Sequence, residues 1–367
     1  MSKLFSPIKI GRHELEHRVV LAPLTRFRAT LEAVPTELLV DYYAQRASPG
    51  GLLVTEATFI SRMAGGYRQA PGIYTQDQIE QWKKVTSAVH AKGAVIYLQL
   101  WHIGRTGSSS LNPNKEAPVA PSAIPIPGKK PNGKTFEVPR ALETQEVKEL
   151  VKEYRQAAIN AMEAGFDGIE VHNANGYLLD QFLNSSTNKR TDVYGGSIPN
   201  RCRFSLEVLE AIVGAIGADR TAIRLSPAGG VQGMMDNTPV ETWGYLTSEI
   251  QKKHPELAYL HFIEARSDFY SDSRVNTVDT LAPYRAIWKG PFITAGGFST
   301  ALEHAVTLAE NTGNLIAFGR AFIANPDLPE RLRSEFKLNP YNRKTFYTHD
   351  AVGYTDYPVY GEKNSHL

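Results

Sequence analysis

The apolar residues of this chain fall in short continuous runs, and each run is followed by a stretch of helical periodicity. "HRVVLAPLT" (17–25) precedes "TELLVDYYAQRA", and "GLLVTEATFI" (51–60) precedes "DQIEQWKKVTSAVHAKG". "AVIYLQLW" (94–101) leads, after a long polar interval, to a helix expected from Thr144 to Ala164. "GIEVH" precedes "RCRFSLEVLEAIVGAIG", and "TAIRLSP" (221–227) precedes "VETWGYLTSEIQKK". "LAYLHFIEA" (257–265) precedes a weaker helix near 278–288. "PFITAGG" (291–297) precedes "TALEHAVTLAE", and "NLIAFGR" (314–320) precedes "ANPDLPERLRSEF".

Runs that do not alternate belong to strands buried on both faces, as in parallel sheets whose crossovers are helices. Eight such units predict closure into an α/β fold of the (β/α)8 TIM-barrel class, as one domain spanning residues 1–367. Residues 102–143, rich in Gly, Pro, Ser, Asn and Lys, form a long excursion after strand 3, expected at the barrel mouth. Residues 265–280 form a polar, lid-like loop after strand 6. Thr144 reads as an N-cap, Gly165 as the stop of that helix, and Thr300 with Glu303 as a capping box.

The totals narrow the picture. The 367 residues are 42% apolar, enough for a large core. A net charge of +2, a pI near 8.4 and scattered basic residues call for no nucleic-acid partner. The lone Cys202 forbids an internal disulfide and fits a reducing, cytoplasmic setting. No run approaches a membrane span and the first residues lack a secretory pattern. The final Ser365-His366-Leu367 is close to a peroxisomal address, which keeps that compartment open as an alternative. His13 and His17 in "HELEH" have metal spacing, but they precede the first strand and lack a third ligand, so they read as surface histidines and no metal is expected. Cys202 reads as an inert buried thiol, and Tyr42 and Tyr43 as helix packing. Arg190, Asp192 and Arg201 read as ion pairs tying a loop together.

Active sites of such barrels lie at the C-terminal ends of the strands. Thr25, Glu56, Ala57, Gln99, Trp101, His172, Asn175 and Arg224 all fall there, as do Gly296-Gly297 and Gly319-Arg320. Glycines let backbone N–H groups approach a phosphate, and a helix N-terminus favours its charge; both glycine pairs are followed by helical patterns. No dinucleotide-binding G-x-G-x-x-G and no P-loop occurs. A lone His172 would read as core. With Asn175 three residues on, two neutral donors can converge on an oxygen that gains negative charge. Tyr177 adds a phenol, a group of ordinary pKa about 10, suited to protonating a carbon acid intermediate.

These residues stand in strings that resemble the old yellow enzymes, flavin-dependent ene-reductases: "HRVVLAPLTRFRA", "LLVTEATFIS", "GGYRQAPGIY", "LQLWHIGR", "GFDGIEVHNANGYLLDQFLN", "TNKRTDVYGGSIPNRCRF", "IRLSP", "IWKGPFITAGGF", "FGRAFIANPDL" and "GYTDYP". The resemblance covers nearly the whole chain and implies FMN at the barrel mouth and NADPH as hydride donor. It implies that Pro23, Leu24, Thr25 and Ala57 edge the flavin, Gln99 and Arg224 hold its pyrimidine end, His172 also contacts the cofactor, and Gly296, Gly297, Gly319 and Arg320 hold its phosphate. It further implies that His172 and Asn175 grip a substrate carbonyl, that Tyr177 donates the proton, and that Tyr67, Trp101 and Tyr354 wall the substrate pocket. The implied partners are an α,β-unsaturated aldehyde or ketone and NADPH, with the protein as monomer or homodimer. The chain departs from the family pattern at "AGGVQG" after "IRLSP", at Pro283-Tyr284, where a pocket Phe is common, and at Gly297, where Asn is frequent. Two other classes share parts of this reading: a metal-free barrel lyase or isomerase acting on a phosphorylated substrate, with Glu56 as its base, and a non-catalytic flavin-binding protein.

Overall fold

The computed structural model describes residues 2–130, 133–227, 229–265 and 279–361. The terminal Ser365-His366-Leu367, and the lid-like loop except Ala265, Asp279 and Thr280, lie outside the described residues.

In chain order the strands are β1 (Ile8–Ile10), β2 (His13–Leu15), β3 (Val19–Leu21), β4 (Leu52–Val54), β5 (Thr58–Phe59), β6 (Val95–Trp101), β7 (Val119–Ala120), β8 (Arg140–Ala141), β9 (Gly168–Asn173), β10 (Thr221–Leu225), β11 (Tyr259–Ile263), β12 (Phe292–Ala295) and β13 (Leu315–Phe318). The helices are α1 (Glu37–Arg46), α2 (Gln76–His90), α3 (Thr144–Glu163), α4 (Leu178–Leu183), α5 (Ile198–Ile216), α6 (Pro239–Lys253), α7 (Ala282–Ile287), α8 (Leu302–Thr312), α9 (Arg320–Ala324) and α10 (Leu328–Arg333). Eight parallel strands close in the order β3, β4, β6, β9, β10, β11, β12, β13 and back to β3. The molecule is therefore a (β/α)8 TIM barrel.

The strands read as unbroken apolar runs because both of their faces are covered. Val20, Leu52, Val54, Tyr97, Ala222, Tyr259, Ile293 and Leu315 fill the barrel interior. Their alternates Val19, Leu21, Leu53, Ile96, Leu98, Ile169 and Ile223 pack outward in the same core cluster as Trp82, Tyr154, Phe204 and Trp243 of the helices. The antiparallel hairpin β1–β2, which the run pattern does not announce, closes the bottom of the barrel with Ile10 and Leu15, both without exposure.

Two helix starts differ from the sequence expectation. The N-cap of α3 is Glu143, not Thr144: the Glu146 carboxylate reaches back to the Glu143 N–H at 2.7 Å, while the Thr144 hydroxyl donates to Asp192 at 2.6 Å. Helix α8 begins at Leu302 without a side-chain cap, because the Thr300 hydroxyl is spent on the Gly297 carbonyl at 3.1 Å. His17 is not a surface residue: it is buried, its Nε2 lies 3.1 Å from the Ser48 hydroxyl, and burial lowers its pKa to about 4, with Arg333 adding to the shift. Cys202 is buried, and Tyr42 and Tyr43 pack in the core. Arg190 pairs with Asp192, but Arg201 pairs with Asp236 at 3.3 Å.

The C-terminal segment returns across the mouth and is held by three buried arginines. Arg26 donates to the carbonyls of Phe346 (3.0 Å) and Gly353 (2.8 Å). Arg28 donates to those of Thr345, Phe346 and Asp350, and Arg46 to that of Tyr354 at 3.2 Å. Five donors in a fixed fork let one guanidinium satisfy several carbonyls that a loop would otherwise bury unpaired.

The hairpin should contribute as core rather than as trim. Leu15→Ala is expected to cost about 2–5 kcal/mol, the range for a truncated buried leucine, read as a lower urea midpoint at unchanged m-value.

Candidate active site

In a parallel sheet, residues in register project to the same side, so the strands set the site. Arg224 of β10 is flanked in register by His172 of β9 and His261 of β11, and Gln99 of β6 stands beside Glu170 of β9. Glu170 has no exposure; one of its oxygens accepts the Gln99 Nε2–H at 2.7 Å and the other the His261 Nδ1–H at 2.8 Å. Burial pushes the Glu170 pKa up, but His261, Arg224 and Gln99 together outweigh it and hold the group below its ordinary value. It is therefore a carboxylate whose full counter-charge is Arg224. Burial lowers the pKa of His261 despite Glu170, so that ring donates as a neutral imidazole. His172 is pushed well below its ordinary value by burial first, then by Arg224 and His261, and is likewise neutral.

Above this layer the chain turns sharply. Asn175 and Gly176 both have left-handed backbone, at φ 59° and 78°. The Asn175 N–H donates to the Ser226 hydroxyl and the Gly176 N–H to the Asp180 carboxylate, each at 2.8 Å. Tyr177 follows at the start of α4, its ring 5.0 Å from that of His172 and 4.9 Å from that of Trp101. Tyr67 stacks on Trp101 from 5.5 Å.

A cavity of about 490 Å³ opens at the C-terminal ends of the strands. It is lined by Pro23, Leu24, Thr25, Ala57, Tyr67, Gln99, Trp101, His172, Asn175, Tyr177, Arg224, Gly296, Gly297, Gly319 and Arg320, which are the cofactor and substrate contacts expected from the sequence with one exception. Tyr354 is the exception. It is without exposure, stacked on Tyr42 at 4.2 Å under the guanidinium groups of Arg26 and Arg28, and is not part of the lining. The arginines that clamp the C-terminal segment draw this ring inward as their π partner.

Several expectations about the surroundings also change. Glu56 is buried beside the Arg26 N–H at 3.3 Å, with its pKa raised to about 7 by burial, and does not line the cavity. Tyr284 stacks on Phe262 in the helical shell. None of the described residues of the 102–143 excursion reaches the cavity. Instead Arg105 ties the excursion to the loop after β10, donating to the carbonyls of Ile124 (3.1 Å) and Gln232 (2.8 Å). Conversely, Phe27, Arg343, Phe346 and Tyr347 line the cavity though no sequence signal singled them out. The only trace of Arg343, Phe346 and Tyr347 is the basic-aromatic string "YNRKTFY" in the segment that crosses the mouth, and Phe27 stands in "HRVVLAPLTRFRA".

The lining fits a flat, anionic, polar-edged cofactor such as FMN. Arg224 Nε and His172 Nδ1 are buried without a hydrogen-bond partner, so donors and acceptors are left over at the cavity floor. At the opposite end Gly296 and Gly297 hold φ 140° and 77°, conformations that side chains rarely adopt, and a Cβ on Gly319 would come 3.2 Å from Leu24. Backbone and the Arg320 guanidinium can thus meet a phosphate closely.

Comparison with known proteins agrees. Residues 3–339 match the family described as NADH:flavin oxidoreductase / NADH oxidase. The chain is 47% identical to 12-oxophytodienoate reductase 1 of Oryza sativa subsp. japonica, over 98% of this chain and 93% of that protein. It is also 47% identical to flavin oxidoreductase hxnT of Emericella nidulans, over 98% of each. Among solved structures it superposes on a point mutant of morphinone reductase in complex with tetrahydroNAD, with TM-score 0.88 and 44% identity over 99% of each chain.

The buried Glu170 should be costly to lose. Glu170→Leu leaves Arg224 uncompensated inside the barrel and is expected to destabilise by about 3–5 kcal/mol, measured by chemical denaturation.

Proposed function

The chain belongs to the NADH:flavin oxidoreductase / NADH oxidase family, the old yellow enzymes, and on that premise we propose that this FMN-dependent ene-reductase acts through His172, Asn175 and Tyr177 on α,β-unsaturated aldehydes and ketones. The observation that carries the residue roles is that all three side chains line one cavity with Arg224 and the Gly296-Gly297 cradle. The names of the relatives point to ketones, 12-oxophytodienoate and morphinone, as the kind of molecule received.

FMN, held by these residues, would supply the hydride chemistry that links a reduced nicotinamide to the β carbon of the substrate. The protein supplies the rest. His172, neutral at physiological pH, and Asn175 donate hydrogen bonds to the carbonyl oxygen as it gains enolate charge, and need no proton transfer to do so. Tyr177 then gives its hydroxyl proton to the α carbon, which completes addition of H⁻ and H⁺ across the double bond. Arg224 provides the fixed positive charge at the floor, backed by Glu170. Tyr67, Trp101 and Phe346 present apolar walls that exclude water from the acceptor. Arg320 and the glycines of β12 and β13 hold the cofactor's phosphate. NADPH is the proposed reductant, and direct comparison of kcat/KM for NADPH and NADH tests that choice.

No observation favours a phosphosugar lyase, since Glu56 is turned into the protein and no other carboxylate lines the cavity among the described residues. The protein is expected to purify yellow, to bleach anaerobically with NADPH and to recover its colour with 2-cyclohexenone. A flavoprotein that bleaches but never recovers would contradict the ene-reductase assignment. Tyr177→Phe should leave flavin reduction within about twofold while slowing reoxidation by the enone by roughly 10²–10⁴-fold, the range for a general acid, in stopped-flow traces of the two half-reactions. His172→Ala should weaken binding of phenols, which mimic the enolate, by roughly 10–100-fold in spectral titration.

A further inference from the structure

The turn that presents Asn175 and Tyr177 is held from below by a residue that touches neither substrate nor cofactor. Two consecutive left-handed residues, Asn175 and Gly176, point their N–H groups inward, and each needs an acceptor there. Ser226 accepts the first and Asp180 the second. Ser226 in turn offers its hydroxyl to Asp180 at 3.5 Å, and the Asn184 side-chain amide donates to the other Asp180 oxygen at 3.2 Å. The Gln181 amide secures the Gly176 carbonyl at 2.8 Å. Three donors thus face one carboxyl group that is only 1% exposed.

The geometry points to Asp180, relayed in part by Ser226, as the positioning residue that fixes where the Asn175 amide and the Tyr177 hydroxyl sit. The inference rests on the proposed roles of those two residues and extends them to the support beneath. A carboxylate matches three donors. A protonated carboxyl carries a donor of its own and leaves one of the three facing hydrogen. The turn is therefore better held when Asp180 is ionised.

The charge state of Asp180 is balanced near neutrality. Burial pushes its pKa up to about 7, against the lowering by the Gly176, Ser226 and Asn184 bonds, with Asp236 adding to the rise. The groups facing it from neighbouring elements are few. Asp236 lies ahead of α6 and is itself paired with Arg201 of α5, and Arg105 after β6 is close enough to feel the Asp180 charge. Ser226 after β10 and Asn184 after α4 are neutral. Because the folded pKa stands above the ordinary carboxyl value, stability falls as pH rises from that ordinary value to about 7, and the loss is complete above it. Ionisation of Asp180 tightens the turn.

The test uses the full-length holoenzyme with FMN, photoreduced and mixed with 2-cyclohexenone between pH 6 and 8. The wild type is expected to reoxidise faster as pH rises, with an inflection near 7, while Asp180→Asn loses the inflection and keeps its rate of flavin reduction by NADPH. Ser226→Ala, which removes the acceptor for the Asn175 N–H without a buried charge change, is expected to weaken phenol binding about tenfold and to slow reoxidation. It carries the test alone if Asp180→Asn does not fold. A merely structural role would lower thermal stability in both variants and leave the inflection and the phenol affinity where they were. Persistence of the inflection in Asp180→Asn, or wild-type phenol affinity in Ser226→Ala, overturns the inference. A wild type that binds FMN but is never reoxidised by the enone removes the ene-reductase reading and this inference with it.

Discussion

A carboxylate with no exposure at all, at the axis of a barrel, has to be compensated where it stands. Glu170 is compensated by Arg224 in charge and by Gln99 and His261 in hydrogen bonds, and these residues come from four neighbouring strands. That requirement fixes strand register as firmly as the apolar packing does, because a slip of one residue would turn every one of these groups to the other face. It also leaves Arg224 at the cavity floor with an N–H unspent, while burial keeps both neighbouring imidazoles neutral. The chemistry above the floor is built on this layer.

The site then divides by function along the barrel rim. β12 and β13 are followed by glycines, the proposed cradle of the phosphate. β6 and β9 end in side chains that donate hydrogen bonds. The C-terminal segment contributes aromatic walls. Electrostatics add to this: the cations Arg224, Arg320 and Arg343 line the same cavity as the neutral donors His172 and Asn175.

Much of this was legible in the chain. Non-alternating apolar runs separated by helices specify a closed parallel barrel, and special residues at the run ends mark the mouth, so most of the residues that line the cavity could be named beforehand. Glu170 was hidden for the opposite reason. Inside "GIEVH" it looks like one polar interruption in a strand, and its meaning appears only once register sets it beside Gln99 and under Arg224. Arg343, Phe346 and Tyr347 lie in no periodic element, and nothing local says that their segment returns across the mouth. Tyr354 was misplaced because its string belongs to that same segment, whose inner side is claimed by Arg26 and Arg28. Thr144 and Thr300 satisfied the local rules for helix caps, but a nearby Asp192 and a nearby carbonyl took their hydroxyls.

The clamp of Arg26, Arg28 and Arg46 on carbonyls between Thr345 and Tyr354 has a consequence for biosynthesis. A ribosome releases those carbonyls only after every strand and helix of the barrel has emerged. Until then Arg26 and Arg28 lack most of their acceptors, Arg46 lacks one, and the rim lacks Phe346 and Tyr347. A nascent or prematurely terminated chain can assemble strands and helices and still have no finished chamber.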